Sequence, residues 1–382
     1  MNRTVFFVLN QNPVDGAAHS LYCLRHLLSL AQAAPKGWKV VLLHASSQKL
    51  QAVLKIHNLP AVENFEMRGL PHLRREKGGS PIQMNAVFYW AALLHLRRHA
   101  QDGDIISTAS FSEMFRFLAP RLKNRKKDIL LVYEVHQLES LSRPLTHKKC
   151  TREFTSLGYA DHLITTCQPL VKILKEKFPS MPISNLGLAS TYIRKNVYTR
   201  QLGEPLRIGY FGSASEEQGI PWLVKEWSNI CSLSGAKHSL HIYGRARRGE
   251  TVPESDPSVG VHIYAPVPSD QVPLKSESLD ALIIPSLDMA HRASIAFTKA
   301  YDYAGLALPI FASDLPTIHE VLPTETDALY FTQGSVTELA QCIKRLAEHP
   351  TLGETMIANL KKRAASFSWE QRAQHWWKLF AK

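Results

Sequence analysis

Short apolar runs rich in β-branched residues alternate with amphipathic stretches along this chain, and the whole pattern occurs twice. A short apolar run bounded by polar residues predicts a buried strand, and strands that alternate with helices predict parallel sheets covered on both faces. The sequence therefore predicts an α/β protein with two doubly wound, Rossmann-like domains. The predicted strands are residues 4–9, 39–44, 104–107, 128–133 and 162–166 in the first set and 206–211, 238–243, 281–284 and 309–312 in the second.

The two sets of predicted strands are separated near residues 190–206, where a polar stretch ends in Gly-Glu-Pro. We expect a first domain over residues 1–195 and a second over 205–366, and 382 residues suffice for both cores. The last stretch, 367–382, begins with Ser368 as a helix-capping residue and carries three tryptophans. Because so much aromatic surface needs to be buried, we expect this terminal helix to pack back on the first domain.

The composition excludes several classes of protein. No apolar run approaches the roughly 18 residues that span a bilayer, and the apolar run at 5–9 is too short for a signal peptide. The five cysteines are scattered and form no Cys-x-x-Cys pair, which argues against a disulfide framework or a structural zinc site. We therefore expect a cytoplasmic protein that does not span a membrane.

The net charge of +12 comes entirely from the first half of the chain. Residues 1–200 carry 28 Lys and Arg against 13 Asp and Glu, whereas residues 201–382 carry 17 against 20. A basic half favours an anionic membrane surface, a phosphate-bearing substrate or nucleic acid as its partner. Nucleic acid is the weakest of the three, because the basic clusters lack the interleaved aromatics of a stacking platform. These clusters are residues 74–77, 97–98 and 121–127.

The loops that follow the predicted strands are the places to look for a ligand, because ligands of doubly wound sheets bind beyond the carboxyl ends of the strands. The first such loop contains Gly16, which suits close approach of the backbone to an anion or simply a tight turn. The second contains His136, which is either a functional or a structural hydrogen-bonding residue. A third contains Gly212 but matches neither Gly-x-Gly-x-x-Gly nor a P-loop, so it is not a standard nucleotide fingerprint.

The loop after the predicted strand 281–284 gives the strongest signal. Thr298 is expected to cap a short helix that ends at Gly305, which places Lys299 in the first turn and Asp302 one turn along. The helix amides, the hydroxyl and the lysine suit a phosphate, and the carboxylate suits a pair of sugar hydroxyls. This pattern indicates a site for a nucleoside-diphosphate sugar.

Together these motifs resemble the family 4 retaining glycosyltransferases of the GT-B fold, weakly before residue 205 and more specifically over 205–330. The resemblance implies two Rossmann-like domains that face each other across a cleft, with the terminal helix crossing back to the first. It implies transfer of a sugar, with retention, from a nucleotide-diphosphate sugar in the second domain to an acceptor on the first. The matching segments are 160–166 with 183–187, 206–220, 240–244, 261–268, 298–314 and Ser368-Trp369.

The resemblance also implies roles for individual residues. It places His136 near the reacting carbon of the sugar and Lys299 at the leaving phosphate, and it implies no metal and no further cofactor. Residues 102–104 imitate a metal-binding Asp-x-Asp motif but enter a predicted strand instead of leaving one, which favours an ordinary loop. Gly16 and His19 are expected to face the phosphates or the acceptor. The expected donor-binding residues are Gly212, Ser213, Gln218, Tyr264, Ser294, Ala296, Phe297, Thr298 and Asp302.

Three positions depart from the family pattern. The family's Glu-x7-Glu reads here as Ser294-x7-Asp302, so only the second carboxylate remains. The Arg and Lys that neutralise the donor diphosphate fall on Ser213 and Gln218, and each lost charge-assisted bond would cost about 1.5–3 kcal/mol. A catalytically degenerate homologue that binds sugar nucleotide or acts as a scaffold is therefore the alternative to an active enzyme. Candidate substitute cations are Arg245, Arg247, Arg248, Arg292 and Lys299.

The acceptor is constrained only by charge and by the resemblance. In this family a basic first domain is expected to meet a glycan, a lipid-linked acceptor or another anionic acceptor. The resemblance thus implies peripheral contact with the inner face of an anionic membrane and no specific binding to nucleic acid.

Overall fold

The computed structural model of the chain describes residues 3–13, 18–73, 82–109, 112–124, 128–142, 146–194, 205–246, 249–251, 253–287 and 294–381. These residues divide into two compact units, which we call the first and the second unit. The first consists of Met1–Gly187 together with Trp369–Lys382, and the second of Leu188–Ser368.

The first unit is built around a parallel sheet of seven strands in the order β3-β2-β1-β4-β5-β6-β7. Its middle strands are almost entirely buried, since helices follow the strands and cover the sheet. The strands are β1 Arg3–Leu9, β2 Trp38–His44, β3 Phe65–Gly69, β4 Ile105–Ala109, β5 Leu130–Val135, β6 His162–Thr165 and β7 Ile183–Asn185, and the helices before the second unit are α1 Ala18–Gln32, α2 Leu50–His57, α3 Ile82–His99, α4 Ser112–Lys123, α5 Glu139–Ser142, α6 His147–Leu157 and α7 Gln168–Lys177.

The second unit repeats the design with a parallel sheet of six strands in the order β10-β9-β8-β11-β12-β13. Its core contains Tyr210, Trp227 and Phe311, all fully buried. The strands are β8 Arg207–Phe211, β9 Ser239–Tyr243, β10 Val261–Tyr264, β11 Ala281–Ile284, β12 Ile310–Ser313 and β13 Leu329–Phe331, and the helices are α8 Ile220–Ser234, α9 Val272–Ser276, α10 Thr298–Leu306, α11 Pro316–His319, α12 Val336–Glu348 and α13 Pro350–Ala364.

The terminal helix, α14 Trp369–Phe380, packs on α1 of the first unit. Trp376 and Trp377 enter the core of that unit, and the indole Nε1 of Trp377 donates a hydrogen bond to the carbonyl oxygen of Leu30 at 2.9 Å. The two Rossmann-like sheets and the docking of this helix confirm the predicted fold class. In the described part of the chain, no helix combines the length and the apolarity that crossing a membrane requires.

Helix α10 begins and ends differently from the prediction. The residue at the N-cap position is Phe297, in an extended conformation and without a side-chain cap, while Thr298 is the first residue of the helix. Gly305 does not end the helix; a Cβ at this position would overlap with the carbonyl oxygen of Tyr192, so glycine serves a close approach of two backbone segments. The helix ends one residue after Gly305, and Ala307 takes the left-handed conformation with φ of 50°. Both predicted helix boundaries were therefore wrong.

We expect Ala307→Gly to raise the free energy of unfolding by about 0.5–1 kcal/mol, because a Cβ is strained in the left-handed region and glycine is not. The measurement is chemical denaturation of the full-length protein. Ala304→Gly, in the interior of the same helix, is the matched control and should lower the stability by about 1 kcal/mol. A destabilised Ala307→Gly variant would contradict the assignment of this helix end.

Candidate functional site

A cavity of about 630 Å³ lies at the carboxyl ends of β8 and β9 in the second unit. Its floor is backbone, because β8 turns at Gly212 with φ of 139°, a conformation that favours glycine. Gly244, directly after β9, lies so close to this turn that a Cβ there would overlap with the carbonyl oxygen of Gly212. Two glycines thus let two loops touch and leave room above them for a ligand. The lining residues are Phe211, Gly212, Ser213, Tyr243, Gly244, Arg245, Ala246, Pro266 and Val267.

Lys299 approaches the glycine turn from α10. Its Nζ donates a hydrogen bond to Oε1 of Gln218 at 3.1 Å and lies 5.0 Å from the ring centroid of Tyr210. A Cβ on Gly212 would come within 3.0 Å of this Nζ, which shows how close the ammonium lies to the turn. Lys299 also belongs to the first turn of α10, where the helix dipole favours an anion. An ammonium, a helix N-terminus and a glycine turn therefore form one cationic corner.

The structure brings several predicted donor residues to this corner. Gln218 orients Lys299 by accepting its hydrogen bond. The backbone carbonyl of Ser213 accepts a hydrogen bond from the Tyr210 hydroxyl at 2.7 Å, while the Ser213 hydroxyl is buried and has no hydrogen-bond partner among the described residues. Of the candidate substitute cations, Arg245 is exposed and lines the cavity. Arg247, Arg248 and Arg292 lie outside the described residues.

The residues just before α10 are mostly buried. Ser294, Ala296 and Phe297 are each less than 10% exposed, whereas Thr298 is exposed. The side chain of Asp302 makes a contact that the sequence did not indicate. Its Oδ1 accepts a hydrogen bond from the backbone amide of Thr191 at 2.6 Å, so this carboxylate holds the segment before β8 against α10.

Three aromatic rings form a row along the carboxyl ends of β8, β9 and β10. Phe211, Tyr243 and Tyr264 occupy the same register position, and the rings stack with centroids 4.8 Å apart for each neighbouring pair. Tyr264 is 41% exposed, while Phe211 and Tyr243 line the cavity. Sequence reasoning identified Tyr264 but missed the other two. A usable signal was present, because each ring belongs to the last residue of its strand.

In the first unit, His136 and His19 lie together. The His136 ring has edge contacts with His19 and Tyr22, at centroid distances of 5.2 and 4.8 Å. Burial, reinforced by the neighbouring His136, lowers the pKa of His19 to about 4, so His19 is neutral at physiological pH. The third residue expected in this region, Gly16, lies outside the described residues.

Glu134 lies beside His136 and was assigned no role from the sequence. It is 1% exposed at the end of β5, and its Oε1 accepts hydrogen bonds from His136 Nε2 at 2.9 Å and from Tyr22 Oη at 2.7 Å. Arg372 of α14 completes the set with Nη2 at 2.8 Å from the same oxygen. A glutamate within an apolar strand, two residues before a histidine, was the available signal. No sequence signal pointed to its partner on α14, Arg372.

The side chains of Asp102 and Asp104 have a structural role, because both accept hydrogen bonds from backbone amides. Oδ1 of Asp104 accepts a hydrogen bond from the amide of Thr4 at 2.7 Å, and Oδ1 of Asp102 accepts one from the amide of Asp128 at 2.9 Å. Across the described ranges, no three His, Cys, Asp or Glu side chains are grouped so that they could hold a metal ion.

Comparison with known proteins gives the site a family context. Residues 205–349 match the family "Glycosyl transferases group 1". No curated protein sequence matches the chain. Similar solved structures include the sucrose-phosphate synthase from Thermosynechococcus elongatus, at a TM-score of 0.72 and 13% identity over 99% of this chain and 98% of that one. The pneumococcal O-GlcNAc transferase GtfA in complex with UDP and GlcNAc has a TM-score of 0.70 and 11% identity over 100% and 99%. HepE from Anabaena in complex with UDP has a TM-score of 0.70 and 13% identity over 99% of each chain. These likenesses show the GT-B fold.

Proposed function

We propose that this chain, a glycosyltransferase, transfers a sugar with retention from a nucleoside-diphosphate sugar bound at the carboxyl end of the second unit's sheet. Its residues 205–349 match the group 1 glycosyltransferase family. The observation that carries the proposal is the cationic corner beside the cavity, where Lys299 Nζ lies next to the Gly212 turn. A cavity of about 630 Å³ falls within the usual range for small-molecule sites.

The charge of the diphosphate and the flat ring of the nucleobase indicate which residues bind each part of the donor. The diphosphate is placed at Lys299 and the N-terminal turn of α10, with Arg245 as a second cation. The nucleobase is placed against the aromatic row of Phe211, Tyr243 and Tyr264, since stacking suits a flat ring and the row continues into the cavity. Lys299 and Arg245 stand in for the two cations that the family carries at the positions of Ser213 and Gln218.

The reaction breaks the bond between the anomeric carbon and the diphosphate oxygen and forms a bond from that carbon to a hydroxyl oxygen of the acceptor on the same face. The acceptor's proton leaves with the nucleoside diphosphate. Negative charge grows on the leaving phosphate, and the ammonium of Lys299 is already in place to stabilise it. His136 of the first unit is assigned to the sugar near the reacting carbon, as the resemblance implies.

The proposal is tested with purified protein and a panel of UDP-, GDP- and ADP-linked sugars. UDP-linked sugars come first, since GtfA and HepE were each solved with UDP. CMP-linked sugars, which carry one phosphate, are the control for the diphosphate site. Thermal shift reports binding, and release of nucleoside diphosphate with and without candidate acceptors reports turnover. Proton NMR of the product gives the configuration at the anomeric carbon. Binding without turnover in the presence of glycan and lipid-linked acceptors would favour the degenerate homologue instead.

We expect Asp302→Ala to weaken donor binding by about 10-fold or more, because a charge-assisted hydrogen bond to a sugar hydroxyl pair is lost. Asp302→Asn should have a smaller effect, since its amide oxygen can still accept from the Thr191 amide. Isothermal titration with the donor measures both. Glu325→Ala, at a 69% exposed position in the same unit, is the control. Unchanged donor affinity in Asp302→Ala would remove Asp302 from the donor site.

The proposed acceptor is anionic and is reached at an anionic membrane surface. One face of α3 supports this part of the proposal: Val87, Trp90 and Leu94 are 36%, 49% and 61% exposed at helical spacing, and Arg98 follows on the same face. Helix α3 contains no acidic residue. Arg121 of α4 lies 5.9 Å from the Trp90 ring centroid and adds positive charge beside the apolar face. Exposed apolar side chains flanked by cations suit the interface of an anionic bilayer.

The α3 face is tested by co-sedimentation with vesicles of phosphatidylcholine alone or mixed with phosphatidylglycerol. We expect binding only to the anionic vesicles, weakened at high salt, and a loss of about 10-fold or more in the double variant Trp90→Ser and Leu94→Ser. Leu233→Ser, at a 56% exposed position in the second unit, is the matched control. Equal binding by the double variant and the wild type would show that α3 is not the contact.

A further inference from the structure

A buried ion pair lies beside His136 and joins two distant parts of the sequence. Glu134 of β5 and Arg372 of α14 are both almost completely buried, with Arg372 Nη2 2.8 Å from Glu134 Oε1. Burying two charges is costly, and such a pair is retained only where its geometry and further hydrogen bonds compensate. We propose that Arg372 is a positioning residue for glycosyl transfer, which acts by holding Glu134 as the carboxylate that orients the His136 ring. This inference rests on the proposed function for the role of His136.

Glu134 carries a negative charge in this site. Burial raises the pKa of this carboxyl, but the Arg372 guanidinium and the hydrogen bond from His136 outweigh burial and hold the pKa well below its usual value. Its Oε1 accepts three hydrogen bonds, from Tyr22, His136 and Arg372, which is compatible with a carboxylate and not with a protonated acid at that oxygen.

The Glu134 carboxylate decides which nitrogen of His136 carries the hydrogen. A carboxylate can only accept, so Nε2 of His136 carries the hydrogen and a neutral ring exposes Nδ1 as its acceptor. The edge contacts with His19 and Tyr22 fix the plane of the ring. The tautomer and the orientation of His136 therefore both follow from Glu134 and its surroundings.

Arg372 is the counter-charge of Glu134. Its Nη1 donates to Nδ1 of His26 at 2.8 Å and its Nε donates to the carbonyl oxygen of Gly187 at 3.1 Å, so each edge of the guanidinium is engaged. His26 is kept neutral, because burial and the charge of Arg372 lower its pKa to about 3. Arg372 is thus the permanent cation that balances Glu134, and α14 holds it there through packing of Trp369 on Tyr22.

Removing the guanidinium leaves the charge of Glu134 to be balanced by a proton. The titratable groups that face it are His19, Tyr22, Cys23 and His26 on α1 and His136 after β5. Loss of this fixed positive charge favours protonation of His26 and of Glu134, the two groups whose pKa Arg372 lowers. The acidic limb of the pH–rate profile should therefore move to higher pH in an Arg372 variant. A merely structural role would not move this limb.

The test compares Arg372→Met and Arg372→Lys in the full-length protein. For Arg372→Met we expect kcat to fall about 10- to 100-fold at an almost unchanged KM for the donor, together with the shift of the acidic limb. Arg372→Lys keeps the charge and should recover most of the rate and the wild-type pH profile. The control is Arg363→Met, which removes a guanidinium from the equally buried carboxylate of Asp327 in the second unit and should lower the melting temperature alone.

Two further measurements keep the inference testable if Arg372→Met is unstable. The charge-balanced double variant Glu134→Gln with Arg372→Met leaves no unpaired ion and should show the same loss of kcat. Nitrogen NMR of labelled histidine reports the tautomer of His136 without turnover. We expect the Nε2–H form in the wild type and a mixture of tautomers in the double variant, because the amide of Glu134→Gln can donate as well as accept. An absence of turnover in the wild type would count against the proposed function alone. A wild-type pH profile in folded Arg372→Met, or an unchanged His136 tautomer in the folded double variant, would overturn the proposal.

Discussion

Lys299→Met is expected to reduce glycosyl transfer by about 100- to 1,000-fold, the usual cost of removing one preorganised group that stabilises developing charge. The position of the ammonium is the reason. It lies within hydrogen-bond distance of Gln218 and next to the Gly212 turn, where the departing diphosphate is placed. Methionine keeps the length and the apolar packing of the side chain and removes only the charge. Steady-state kinetics with the best donor of the panel measures the effect.

The matched control for Lys299 is Lys344→Met, a 52% exposed lysine on α12 that pairs with Glu348 on its own helix. Surface ion pairs of this type contribute little, so both activity and stability should stay close to wild type. Because Lys299 is proposed to contact charge that grows during the reaction, kcat should fall more than donor affinity. A Lys299→Met enzyme within about threefold of the wild-type kcat/KM would place the leaving phosphate elsewhere.

The second large effect is expected for His136→Ala, which should lower kcat by about 100-fold and change donor binding much less. The His136 ring is oriented by Glu134 and by two aromatic neighbours, and such restraint of an 18% exposed side chain suits a group that acts in the transition state. The donor is placed on the second unit, so its affinity should depend on Lys299 and Asp302. Single-turnover kinetics and donor titration separate the two quantities.

His375→Ala is the control for His136, since His375 is an exposed histidine of α14 in the same unit. It should leave both kcat and donor affinity unchanged. If His136→Ala instead weakened donor binding and left kcat intact, the histidine would be a binding group and not part of the transfer step. If it altered neither, the assignment of the first-unit site would be wrong.

The strands missed by sequence reasoning have one property in common. The four that were not predicted, β3, β7, β10 and β13, are the edge strands of the two sheets. The middle strands are buried on both faces and therefore show continuous apolar runs, which the sequence reveals directly. The edge strands β3, β7 and β10 are partly exposed, and β13 has only three residues, so their sequences show no long apolar run. These edge strands form because each pairs with the adjacent strand of its sheet.

Helix α10 shows the same limit on a smaller scale. Glycine is the usual signal for a helix end, and it predicted a stop at Gly305. That glycine is required by the backbone of Tyr192, more than 100 residues earlier, and the actual end falls on Ala307. The rule that glycine ends a helix considers only neighbouring residues, whereas Gly305 is required by a tertiary contact with Tyr192.

The sequence by itself determined the two Rossmann-like sheets, the terminal helix on the first unit, and Lys299 and His136 as the residues to examine. Those inferences depend on local patterns, because apolar periodicity and strand-to-helix junctions are properties of neighbouring residues. Only the tertiary structure decided that Gln218 holds Lys299, that Asp302 binds the amide of Thr191, and that Arg372 balances Glu134 beside His136. These three contacts join residues that are 81, 111 and 238 positions apart, respectively. Hydrogen bonds and buried charges over such separations leave no periodic pattern in the sequence.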